Sequence, residues 1–341
     1  MCVSVWWPSC NLDPCSMQSL LHDTSRFSRF TFPYESSLPD ELPSPLPISA
    51  PPPQVARRHI STLTPESFLQ EFRLPGVPVI IEGALPRPPH KWCLAAFVGM
   101  LPPETSFQCR VHGNDRFATE PQRWQGKSHA RHIIPTTPKR FAETVVAGIA
   151  SREDCYVQAD IQHSRAGSEI ASALDTVGRR CGLRLHKIYG SIVNMWWGAG
   201  GHTEPLHMDV TDGTLCQLRG RKRVVLFPPE CWQDLYPFPV SETGMSWAFS
   251  QVVQERPDFE RFPRLRNALE RRIEIHLEEG EVLFIPACMA HEISGEPNLA
   301  DGQPADHVLS MNRFWQTDPE QARKHLPPDA LRSFNSSFAG G

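Results

Sequence analysis

The chain has 341 residues and a formal net charge of −4, from 34 basic and 38 acidic residues. That balance leaves no basic footprint for DNA or RNA, and no apolar run approaches the roughly 18 residues of a membrane-crossing helix. The 34 prolines, about twice the usual share of ~5%, argue against long helices and for strands, turns and irregular loops.

Ten cysteines (Cys2, Cys10, Cys15, Cys93, Cys109, Cys155, Cys181, Cys216, Cys231 and Cys288) include no C-x-x-C pair, so no structural zinc module is expected. The opening MCVSVWWPSCNLDPC has neither a basic start nor a continuous apolar stretch, which does not read as a secretory signal. Reduced thiols in a cytoplasmic or nuclear protein are therefore expected.

Residues 1–55 read as a disordered leader, with a proline-rich stretch between Pro33 and Pro53 that favours extended polyproline II and buries no core. Order is expected from residue 56. Thr64-Pro65-Glu66 is a helix start, carrying Phe68, Leu69 and Phe72 inward and ending at Gly76. Val77 to Ile81 reads as a strand. A second helix starts at Thr137-Pro138 and runs through Phe141, Val145 and Val146. Cys155 to Gln158 is a short strand, and Ser168 to Val177 a third helix.

From Tyr189 strands and turns take over. Ser191 to Trp197 is rich in β-formers and stops at Gly198, and Lys222 to Phe227 is closed by Pro228-Pro229. Ile273 to Leu277 and Val282 to Ile285 flank Glu278-Glu279-Gly280-Glu281, which predicts a hairpin. His307 to Trp315 is the last strong strand, and a helix over Pro319 to His325 is expected in a tail spanning 319–341. Many short strands with helices mostly upstream predict a mainly β fold: an antiparallel double-sheet barrel over 56–318.

One spacing points to chemistry. His207 and Asp209 flank one residue in GHTEPLHMDV, and on a strand alternate side chains share a face. A histidine and a carboxylate aimed into one pocket supply two ligands of a 2-His-1-carboxylate site, the set associated with non-heme Fe(II) oxygenases. H-x-D alone is common on surface strands, so it needs a third ligand. His291, after the strand and proline-bounded loop of GEVLFIPACMAHEIS, is the best placed. His276 and His307 sit inside apolar strands, where a satisfied core histidine is commoner. His186 and His202 have no partner pattern. Lys222 shares a strand face with Val224 and Leu226, and a lysine among buried apolar residues needs an anion. The competing reading is a solvated basic turn over Arg219 to Arg223.

HMDVTDGTLCQLRGRKRVVLFPPECWQDLYPFP resembles the core of the JmjC (cupin-8-like) family of Fe(II)- and 2-oxoglutarate-dependent oxygenases, most of all the branch of the asparaginyl hydroxylase called factor inhibiting HIF. The resemblance runs through FERFP and GEVLFIPACMAHEIS to MNRFW and covers roughly 56–318. It implies the double-stranded β-helix, or jelly-roll, of cupins. It also implies Fe(II) on His207, Asp209 and His291, with 2-oxoglutarate and O2 as co-substrates. Lys222 then binds the far carboxylate of 2-oxoglutarate, Tyr156 falls where that branch has a tyrosine on the same carboxylate, and Asn312 where it has an asparagine near the metal. For Tyr156 and Asn312 the plain readings are a core aromatic and a polar strand residue.

Some residues depart from the branch. Glu204 stands where the relative has a threonine that helps bind 2-oxoglutarate; a carboxylate there repels the co-substrate unless Thr203 takes the role and Glu204 turns away. Gly213 replaces an asparagine, and Met289 and Ala290 replace paired tryptophans, which reshapes the substrate side. The branch's C-terminal dimerisation helices have no evident counterpart, so dimerisation does not carry over and the oligomeric state stays open. The implied reaction is hydroxylation of a C–H bond of a protein side chain or of a small molecule such as a secondary metabolite. Lysine demethylation and a catalytically inactive cupin scaffold are the alternatives.

Overall fold

The computed structural model describes residues 54–85, 89–112, 132–186, 191–239, 248–254, 256–296, 298–299, 301–317, 324 and 326. The expected leader, apart from residues 54 and 55, and the expected helix over Pro319 to His325, apart from Lys324, lie outside them. The strands, in chain order, are β1 (Ala56–His59), β2 (Val79–Glu82), β3 (Phe107–Val111), β4 (His132–Thr136), β5 (Cys155–Asp160), β6 (Asn194–Gly198), β7 (Thr203–Met208), β8 (Asp212–Arg219), β9 (Arg221–Phe227), β10 (Ile273–Leu277), β11 (Val282–Ile285), β12 (Ala290–Glu296) and β13 (Val308–Trp315).

These strands form two sheets. The large one has nine strands in the order β1-β2-β11-β8-β13-β6-β5-β3-β4, and the small one four, β10-β9-β12-β7. Only β1–β2 pair in parallel; every other neighbouring pair is antiparallel. Together they make the jelly-roll barrel expected of the sequence. The 278–281 turn corrects one expectation. It does not close a hairpin: β10 pairs with β9 in the small sheet, and β11 pairs with β2 and β8 in the large one. Gly280, at φ +90°, lets the chain cross from sheet to sheet there. A jelly-roll alternates consecutive strands between its layers, and a short turn alone cannot distinguish that from a hairpin.

Apolar residues fall into three layers, as the strand period demands. Inside the barrel, Ile80, Leu215, Val224, Leu226, Leu283 and Ile285 join the two sheets. Outside the large sheet, Trp197 packs edge-on against Phe97 and Phe141 from the helices Leu94–Val98 and Pro138–Val146. Outside the small sheet, Val225 and Phe227 meet Trp232 and Leu235 of the Pro229–Leu235 segment and Leu265. The unbroken Val224-Val225-Leu226-Phe227 run is thus buried on both faces, as its composition requires.

The helix starts follow the capping rules. Thr64 caps Pro65–Phe68 in a reciprocal capping box with Ser67, and Thr137 caps Pro138–Val146 through the Arg140 amide. The third helix runs longer than expected, Arg165–Cys181, over a stretch free of proline and closed by Gly182 in the left-handed region. Trp197 is fully buried where this helical layer meets the large sheet. Trp197→Ala should therefore destabilise the fold by about 3–5 kcal/mol, read as a lower urea midpoint with unchanged slope.

Candidate active site

The site is organised by a β-bulge in β7. His207 registers with His291 on β12, and Glu204 registers with Ile293, so two residues of β7, Pro205 and Leu206, face a single position of β12. β7 is an edge strand of the small sheet, where proline is tolerated. The bulge resets the alternation. Leu206 and Met208 face the outer layer, while His207 turns into the barrel, and beyond the bulge Glu204 faces in and Thr203 out.

Ligating atoms of His207, Asp209 and His291 lie within 4.8 Å of one another. The two imidazoles stand 4.2 Å apart, centroid to centroid, and His291 Nε2 is 3.7 Å from Asp209 Oδ2. Each ring is set by a carbonyl: His207 Nδ1 donates to Pro205 O at 2.7 Å and His291 Nδ1 to Met289 O at 2.9 Å. A carbonyl can only accept, so Nδ1 carries a proton in both residues and Nε2 is the nitrogen left to ligate. This is the arrangement by which outer hydrogen bonds orient metal-binding histidines. Burial, with His207 adding to it, lowers the pKa of His291 to about 4, so its ring is neutral, the ligating form. The donor set of two imidazoles and a carboxylate fits a divalent first-row metal.

The two arms are tied together. Cys288 N donates to Asp209 O at 2.7 Å, joining the end of β7 to the loop before β12. Asp212, buried, receives Ala287 N at 3.0 Å and Arg73 Nε at 2.9 Å, which fixes that loop to the N-terminal helical segment. Phe249 stacks on the His207 ring at 5.5 Å, and Ser250 N donates to Leu206 O, covering the free edge of β7.

Lys222 is buried, not part of a solvated turn. Its neighbours Arg221 and Arg223 point outward, to Glu278 and Glu296 and to Glu274. On the inner face Lys222 registers with Gly295, whose missing side chain leaves room. Its Nζ lies 3.4 Å from the Tyr156 hydroxyl, so the structure brings these two expected residues together. Burial lowers the Lys222 pKa to about 7, against the opposing pull of Glu204. Burial likewise raises Tyr156 well above the phenol value, so it remains a neutral hydroxyl. Its ring crosses β6 at Gly198, where a Cβ would stand 2.8 Å from the ring.

The remaining expected residues separate. Asn312, on β13, accepts a 2.6 Å bond from Trp196 Nε1 through Oδ1, leaving its amide NH2 to donate. Thr203 does not join the Lys222–Tyr156 end: its hydroxyl bonds Ser294 Oγ at 2.9 Å on the outer face. Glu204 does face inward. Met289 is buried in the inner layer and Ala290 in the outer one. A Cβ at Gly213 would make only ordinary contact with Phe314, at 3.8 Å. His307 is the satisfied core histidine expected, at 2.8 Å from Trp92 O, whereas His276 lies near the surface beside Glu296. Sequence reasoning missed Trp196, Gly198, Phe249 and above all His202, which packs face to face on Tyr156 with ring centroids 3.8 Å apart.

The model of the cupin-like domain matches residues 65–321, and the chain belongs to that family. Among curated relatives, it is 30% identical over 149 residues to the lysine-specific demethylase JMJ31 of Arabidopsis thaliana, covering 43% of this chain and 25% of that protein. It is 36% identical over 124 residues to the tRNA wybutosine-synthesizing protein 5 of Gallus gallus (36% and 30% covered), and 40% over 94 residues to the lysine-specific demethylase 8 of Danio rerio (28% and 22%). The aligned stretches span less than a third of each of these relatives. They support the JmjC-type cupin family and do not single out the asparaginyl hydroxylase branch.

His207→Ala, Asp209→Ala and His291→Ala should each weaken divalent-metal binding by at least about 100-fold, beyond what losing an outer hydrogen bond does. The visible spectrum of the Co(II)-substituted protein checks this. Retention of the wild-type spectrum in any of the three variants overturns the ligand assignment.

Proposed function

We propose that this protein is an Fe(II)- and 2-oxoglutarate-dependent oxygenase that hydroxylates a C–H bond of a protein side chain or a small molecule. One observation carries the reading: the barrel holds both a His207–Asp209–His291 donor set and, farther along the same face of the small sheet, a buried lysine with no side chain opposite it on β12. In this reading His207, Asp209 and His291 would hold the iron. Bound there, iron supplies activation of O2 coupled to decarboxylation of 2-oxoglutarate to succinate and CO2.

The chain's own part is positioning. Lys222 and Tyr156 take the far carboxylate through a charged and a neutral donor, where the low-polarity surroundings strengthen both bonds. Asn312, oriented by Trp196, offers an amide N–H. Burial of Lys222 shields the far end from water, while at the metal end Asp209 stays partly exposed. Thr203, turned outward, has no role in this reading. Lysine demethylation is the second reading: hydroxylation of an N-methyl group would give a carbinolamine whose C–N bond breaks to release formaldehyde and leave the amine, and two of the relatives are named as lysine-specific demethylases. An inactive scaffold is disfavoured by the complete donor set. A cytoplasmic or nuclear setting belongs to the same proposal; among the described residues no helix is long and apolar enough to cross a membrane.

With Fe(II), O2 and 2-oxoglutarate the protein should form succinate, and Lys222→Ala should raise the 2-oxoglutarate requirement at least tenfold while leaving metal uptake unchanged. Absence of 2-oxoglutarate binding to the metal-loaded wild type refutes the assignment.

The pH dependence has a definite sign. Lys222 ionises near 7 before an anion arrives, and an anion favours its charged form. Affinity for 2-oxoglutarate should therefore fall as pH rises above about 7, with uptake of up to one proton per ligand. Among the groups facing it, Tyr156 stays neutral, Glu204 stays ionised, and His202 changes affinity in the same direction if it titrates. Calorimetry in buffers of different ionisation enthalpy reads the uptake.

A further inference from the structure

Glu204 is the side chain at odds with an anion pocket. The β7 bulge puts it on the inner face, one register row from Lys222 towards His207: Glu204 pairs with Ile293, Ile293 with Val224, and Lys222 with Gly295. It is ionised. Burial works to raise its pKa, but His202, Arg110 and His207 outweigh that and hold it well below the carboxylate range. Left alone, this charge would neutralise Lys222 and repel an incoming carboxylate.

It is not left alone. His202 Nδ1 lies 3.2 Å from Asp154 Oδ1, and His202 Nε2 lies 3.6 Å from Glu204 Oε2, an ion-pair distance. The ring is buried and packs flat against Tyr156, the residue that also faces Lys222 Nζ. A neutral ring bonded to one carboxylate would turn a lone pair on the other; a doubly protonated ring meets both with N–H groups. The backbone fixes it there. Gly295 N donates to His202 O at 2.8 Å, and Gly201 N to Gly295 O at 2.7 Å, at the residue opposite Lys222. His112, with its ring 4.9 Å from that of His202, is lowered to about 4, mainly by burial, and adds no charge. Arg110 registers with Tyr156 on β3.

We infer that His202 is a positioning residue: clamped between Asp154 and Glu204 and stacked on Tyr156, it draws the Glu204 carboxylate to itself and offsets its charge, so that Lys222 and Tyr156 stay available to an anionic co-substrate. The inference rests on the reading of Lys222 as the 2-oxoglutarate anchor. It gives this chain a charged device at the position where the resembling hydroxylase has a neutral threonine.

The test measures 2-oxoglutarate binding to the full chain loaded with Mn(II) in place of iron, by calorimetry without turnover. His202→Gln should weaken 2-oxoglutarate at least tenfold with Mn(II) affinity unchanged. Glu204→Thr in that background should restore binding to within about threefold of wild type, which a merely structural role of His202 would not allow. Wild-type affinity in His202→Gln, or a double variant as weak as the single, overturns the inference while the co-substrate reading stands. Wild-type protein that takes up Mn(II) but no 2-oxoglutarate overturns both. Should His202→Gln fail to fold, nitrogen-15 histidine spectra of the wild type decide: two protonated ring nitrogens on His202 near neutral pH support the clamp, and a neutral tautomer refutes it.

Discussion

The site depends on two residues of β7 facing one position of β12. Without that bulge, strict alternation would put Thr203, Pro205 and His207 on one face and Glu204 on the other. With it, Glu204 and His207 both enter the barrel and Thr203 leaves. The same irregularity frees the carbonyl of Pro205 to hold His207 Nδ1, so the device that aims the ring also sets its tautomer. Proline is well suited to the place, because it has no N–H to leave unpaired on an edge strand.

From that register the inner face of the small sheet acquires an order. His291 and His207 share a row with Leu226; Glu204 and Ile293 share the next with Val224; Lys222 and Gly295 make the one beyond. The His207–His291 end, proposed for the metal, and the Lys222 end, proposed for an anion, therefore lie along the same strands, separated by a row in which Glu204 stands beside the apolar Ile293 and Val224. Gly295 on β12 and Gly198 on β6 clear the volume at the far end, one opposite Lys222 and the other under the Tyr156 ring. The large sheet closes it with Tyr156 and Trp196, from β5 and β6.

Features that obey a local period were readable in the chain itself. The i, i+2 spacing of His207 and Asp209 drew attention to the pair, although Asp209 falls just past the end of β7, and the face that Lys222 shares with Val224 and Leu226 needed only alternation. Helix starts at Thr64 and Thr137 needed only a cap and a proline. What escaped were relations between distant segments. Nothing local says whether the 278–281 turn folds back or crosses to the other sheet, because both use the same glycine. The β7 bulge is set by pairing with β12, many residues away, so the roles of Thr203 and Glu204 could not be separated beforehand. His202 had no visible partner because its partners, Asp154 and Tyr156, arrive from β5 and the turn before it.

The far end of the barrel also shows why its charges have to be read together. A buried lysine, a buried histidine and two carboxylates would each be strongly unfavourable alone in low-polarity surroundings. Here Asp154 and Glu204 hold His202 above the ordinary histidine value, His202 helps hold Glu204 ionised, and Glu204 partly resists the downward push of burial on Lys222. Each group depends on the next, so replacing one changes the charge state of its neighbours. The threonine of the resembling hydroxylase would leave Lys222 as the main charge in its pocket. Glu204 in this chain makes the same pocket workable only as a set, and the member that completes the set, His202, is supplied by the glycine loop that feeds β7.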